Sequence, residues 1–101
     1  MATTIKALFR GAATTTLTTT LYTVPASTVT QITDVEIVNN SAAAVTATMT
    51  LDGISFVPTV SIPANSQYSW SGKMPLAATK TIQGGSSVTT TTFHIGGVEV
   101  A

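Results

Sequence analysis

The stretch AVTATMTLDGISF, residues 44–56, carries the plainest structural signal in the chain. Val45, Ala47, Met49 and Leu51 fall on one side of an extended backbone; Thr46, Thr48, Thr50 and Asp52 fall on the other. A two-residue period with one apolar face is the pattern of a half-buried strand. Asp52-Gly53 follows at once, and this dipeptide supplies the positive φ that a tight hairpin needs. A second strand begins at Ile54-Ser55-Phe56. Pro58 then interrupts it, which predicts an edge strand or a bulge, because proline cannot donate to a ladder.

Upstream, residues 31–39 read QITDVEIVN. Thr33, Val35 and Ile37 alternate with Asp34, Glu36 and Val38, and residues 39–43 (NNSAA) are turn chemistry. Residues 11–32, GAATTTLTTTLYTVPASTVTQI, look at first like a low-complexity tract. Threonine is β-branched, however, and suits a pleated surface. Leu17, Thr19, Leu21 and Thr23 share one strand face, with Thr18, Thr20 and Tyr22 on the other, and Pro25 ends the run. A mucin-like stalk would carry several prolines and few spaced aliphatics, so this stretch is expected to be folded strand.

Downstream, Val60 and Ile62 share a face, and a Pro-Ala-Asn-Ser turn follows. Tyr68 and Trp70 then occupy alternate positions. Residues 71–85 read as short strand fragments between turns. Val88, Thr90, Thr92 and His94 line one side of a late strand. The pairs Gly84-Gly85 and Gly96-Gly97 read as turns, not as phosphate loops, since neither carries the lysine of a P-loop. About seven or eight short strands with regular turn signals predict an all-β fold, a single antiparallel β-sandwich, Ig-like or jelly-roll-like. Residues 1–13 are expected to form an N-terminal arm or first strand, and residues 14–101 the sandwich domain.

A chain of 101 residues is one domain. Charged residues make up only 8% and the formal net charge is zero, against about a quarter charged in ordinary soluble proteins. Such a neutral surface has little repulsion to keep copies apart and suits a subunit of an assembly. Lys6, Arg10, Lys73 and Lys80 form no run, so nucleic acid is not an expected partner. No apolar run has the length of a membrane span, and Arg10 interrupts the first apolar stretch too early for a secretory leader. Cysteine is absent, so no disulfide framework or thiolate metal site is available.

Few residues offer chemistry. His94 is the only histidine and sits in an alternating strand, where a structural or surface role is expected. Asp34 and Glu36 share a strand face; paired carboxylates can serve glycoside hydrolysis or cation binding, but a solvated face or an edge guard accounts for them. Asp52 is explained by its turn. Asn39-Asn40-Ser41 matches the glycosylation triplet, a weak signal. Tyr68 and Trp70 are candidate core or interface aromatics; in a carbohydrate-binding module they would stack on sugar, assisted by Asn65 and Gln67. No catalytic, cofactor-binding or metal-binding residue is expected, and no cofactor.

The chain also resembles small virion structural proteins of tailed bacteriophages. The motifs are Val-Pro-Ala at residues 24–26, Ile-x-Asp-Val-x-Ile-x-Asn at 32–39, Ile-Pro-Ala-Asn-Ser at 62–66 and Gly-Val-Glu-Val at 97–100. The resemblance covers most of residues 16–101. It departs at residues 75–82, PLAATKTI, where such proteins often carry an Ala-Gly-Asp turn.

The resemblance implies a non-enzymatic part of the virion. The first expectation is a capsid cement or decoration protein, as a homotrimer over junctions of the major capsid protein. A tail, baseplate or fibre component is the alternative, and a sugar-binding module a further one. Ile5, Leu8, Phe9 and Arg10 form the candidate capsid or subunit interface. Deleting residues 2–12 is expected to weaken head binding and to leave the β fold.

Overall fold

The computed structural model describes residues 3–101. The regular elements among them are eight strands: β1 (Thr3–Ala12), β2 (Thr20–Thr23), β3 (Val29–Asn39), β4 (Val45–Leu51), β5 (Ile54–Ile62), β6 (Gln67–Leu76), β7 (Thr81–Ser86) and β8 (Thr91–Val100). They form two four-stranded antiparallel sheets, ordered β1-β8-β3-β6 and β2-β7-β4-β5. Each strand pairs with its counterpart counted from the other end: β1 with β8, β2 with β7, β3 with β6 and β4 with β5. The chain is thus one long antiparallel hairpin rolled into two layers, the jelly-roll form of the β-sandwich.

The tip of that hairpin is Asp52-Gly53. Both residues have positive φ, 54° and 73°, as a type I′ turn requires, and Leu51 pairs with Ile54 across it. This is the one connection between neighbours in the same sheet; every other connection crosses between the two sheets. β5 is an edge strand, with register shifts opposite Ala47 to Thr50 around Pro58. Val45, Ala47, Met49 and Leu51 are all buried.

Between the layers lie Phe93, Ile32, Ile37, Met49, Ile62, Ile82 and Ile95, all at 2% exposure or less. Asn39 is buried among them. Its amide Nδ2 donates to the carbonyls of Ala43, Ile62 and Pro63, and its Oδ1 accepts from the amide and hydroxyl of Ser41. A buried amide so completely satisfied stitches the end of β3 to the β5–β6 turn. The glycosylation triplet is therefore a structural anchor, with its acceptor nitrogen inside the protein.

Several local expectations change in the folded chain. The strand expected over residues 17–23 shortens to Thr20–Thr23. Before it, the Thr14 and Thr19 hydroxyls both donate to the Thr16 carbonyl; threonine side chains here compete with ladder pairing. In β3 a bulge at Thr33 lets Ile32, not Thr33, join Val35 and Ile37 on the buried face. β8 begins at Thr91, leaving Val88 and Thr90 outside it.

Neither glycine pair is a turn: Gly84-Gly85 lies within β7 and Gly96-Gly97 within β8. At Gly97 a Cβ would stand 2.5 Å from the Gln31 carbonyl oxygen and 2.9 Å from Leu8 Cδ1. The glycine makes room where bulges in both neighbouring strands crowd β8.

Candidate functional site

The outer face of the β1-β8-β3-β6 sheet carries most of the exposed chemistry. Register sets Arg10 beside His94, His94 beside Glu36 and Glu36 beside Ser69, one row across all four strands. Asp34 stands one outward step along β3, beside Gly96. Arg10, His94, Glu36, Asp34 and Gly96 line a shallow depression of about 300 Å³. Arg10 Nε donates to His94 Nδ1 at 3.1 Å, so the neutral imidazole carries its own proton on Nε2. Thr33 donates to Asp34 Oδ2 at 3.1 Å. Among the described residues no three His, Asp or Glu side chains converge as a metal ion needs.

The opposite end of this face is apolar. Ile5, Val98, Gln31 and Pro75 form one row, and Val100 and Val29 pair in the next. Ile5 is 85% exposed and Val29 50%. One sheet surface is thereby divided along its strands into a charged half and a mostly apolar half, with the exposed Lys73, outward by strand alternation on β6, between Pro75 and Ser71 at the boundary.

A second polar cluster lies between the sheets. The Tyr22 hydroxyl donates to the Glu99 carboxylate and bonds Thr30 Oγ1 at 2.8 Å; Lys6 Nζ stands 3.5 Å from Glu99 Oε2. Burial, and then the hydrogen bond to Glu99, push the Tyr22 pKa from 10.0 up to about 12. This cluster ties β1, β2, β3 and β8 together at one end of the sandwich. The signal for it was present in the sequence: Phe93, Ile95, Gly97 and Glu99 share strand parity, which aims Glu99 inward.

Tyr68 and Trp70 also face inward. They pair with the buried Ile37 and Val35 and pack against the core. Trp70 meets Phe56 edge-to-face, ring centroids 5.0 Å apart at 81°. Gln67 stands on the opposite face of β6 by strand alternation, so it does not share a surface with the two aromatics. Beside them, the open edge between β5 and β6 forms an apolar groove of about 440 Å³. Leu51, Phe56, Met74 and Leu76 line it, with Ile54, 69% exposed, on its rim.

The four residues of the expected interface separate. Leu8 is buried and Phe9 packs against the core, while Ile5 and Arg10 stay exposed on the outer face. Residues 3–12 are β1 itself, paired along β8; Met1 and Ala2, the start of the expected 1–13 segment, lie outside the described residues. Deleting residues 2–12 would strip Leu8 from the core and bare the β8 edge, so point substitutions are the sound probe of this surface. In comparisons with known proteins, no family model, no curated protein and no solved structure matches the chain.

Proposed function

We propose that this chain is a non-enzymatic structural protein of a tailed-phage virion, a cement protein that bridges major capsid subunits on the head. The observation that carries the reading is a pair of separate apolar surfaces on one small domain. One is the Ile5–Val98–Val29 end of the outer sheet face; the other is the groove rimmed by Ile54. A protein that bridges as joined copies needs two contact surfaces, one for a neighbouring copy and one for a capsid subunit, and exposed apolar patches rimmed by polar residues mark such contacts. Two further points support it. The virion-like motifs at residues 32–39 and 97–100 lie in β3 and at the end of β8; that at 24–26 lies in the connection that follows β2, and that at 62–66 runs from Ile62, the end of β5, into the connection that follows it. Jelly rolls recur in viral capsid domains, an association at the level of fold alone.

The test is to add the labelled chain to purified phage heads lacking it, then measure occupancy by co-sedimentation and image the label. Label spread over the head is expected, with heads more resistant to heat. Ile54→Lys should lower affinity for heads by about tenfold or more. Label confined to the tail, or no binding to particles, would overturn the reading.

A further inference from the structure

We infer that the outer face of the β1-β8-β3-β6 sheet is an isologous interface, covered by the same face of a second copy of this chain. The dyad would run along the strand direction, between β8 and β3. Such an axis lays β8 of one copy over β3 of the other, and β1 over β6, with every residue kept at its own height along the strands.

The division of the face fits this operation. Ile5 comes over Pro75 of the second copy, Val98 over Gln31 and Val100 over Val29, because each of these pairs already shares a row within one sheet. In the charged half, His94 comes over Glu36. Arg10 holds His94 Nδ1, so the Nε2 proton is free to donate to that carboxylate, and the Arg10 cation stands near both carboxylates of the second copy. A dyad perpendicular to the strands would instead lay the charged half over the apolar half and desolvate carboxylates against Ile5 and Val29, which is costly. The face therefore specifies one of two possible symmetric pairings.

Its size is sufficient. Strands of ten residues are about 33 Å long, and four of them span about 19 Å. Each copy thus offers about 600 Å², and two copies about 1,200 Å², the lower end of specific interfaces. The apolar half also receives a cover that the fold of one chain does not supply.

The experiment uses the isolated chain, so its failure is distinguishable from failure to bind heads. Sedimentation velocity across the micromolar range should show a species of twice the 10.3 kDa chain mass. Ile5 and Val29 are exposed, so the double variant Ile5→Lys, Val29→Lys should keep its circular dichroism and weaken dimerisation by about 100-fold or more. Glu36→Lys sets a cation against the Arg10–His94 pair twice across the dyad, and His94→Glu sets a carboxylate against Glu36 twice, so each should be monomeric. Mixed together they should restore a dimer of one of each, visible by native mass spectrometry, because one contact is then an ion pair and the other is the original His94–Glu36 hydrogen bond. A monomeric wild type throughout this range would overturn the inference. So would an oligomer that survives both the Ile5/Val29 and the Glu36 substitutions, or a mixture that stays monomeric.

Discussion

The two faces of the β1-β8-β3-β6 sheet are built from the same strands, yet they answer to different requirements. On the inner face Phe93 pairs with Ile37 and Ile95 with Val35, all four at 2% exposure or less. One residue along, His94 pairs with Glu36 and Arg10 on the outer face. The inner face is dictated by the exclusion of water and close fit. The outer face is free of that requirement, and its residues sort into an apolar and a charged half along the strands.

Substitutions can test how sharp this contrast is. The largest effect is expected at Phe93, the largest fully buried side chain. Phe93→Ala should cost about 3–5 kcal/mol, much of the roughly 5–15 kcal/mol that holds a domain folded. Urea denaturation measures this, and a loss below about 1 kcal/mol would deny Phe93 its central place.

An intermediate effect belongs to the enclosed polar cluster. Tyr22 has its pKa raised from 10.0 to about 12 in the folded chain. Between these values the folded state keeps a proton that the unfolded state releases. The contribution of Tyr22 is therefore complete below about pH 10 and is lost as pH rises toward about 12. Tyr22→Phe should flatten the loss of stability across that window. Equal slopes in the two chains would assign the alkaline transition to other groups.

The smallest effect is expected outside. Arg10→Ala removes an exposed hydrogen bond to His94 and should change stability by no more than about 0.5 kcal/mol. A thermal melt showing a loss as large as that at Phe93 would erase the distinction between the faces.

Legibility followed the range of the interactions. The β4–β5 hairpin was readable because it is local: alternation in residues 45–51 sets the faces, and Asp52-Gly53 sets the turn. Pro58 marked an edge strand for an equally local reason, its missing donor. The inward place of Ile32 was not readable from plain alternation, because the bulge at Thr33 is a matter of pairing with β6 and β8. The Gly96-Gly97 pair misled for the same reason. The small size of Gly97 serves a close approach by Leu8 and Gln31, residues far away in the chain. Of the candidate site, the shared face of Asp34 and Glu36 followed from parity. Their meeting with Arg10 and His94 did not, since it depends on which strands are neighbours.

By itself, then, the sequence determined an all-β chain, the hairpin at Asp52-Gly53, and the core face of β4. These follow from backbone preferences and a two-residue period acting over a few residues. The tertiary structure alone decided the order β1-β8-β3-β6 and β2-β7-β4-β5, the enclosure of Glu99 with Tyr22, and the split outer face. Those features join residues tens of positions apart, and only the rolling of the long hairpin into two layers brings them together.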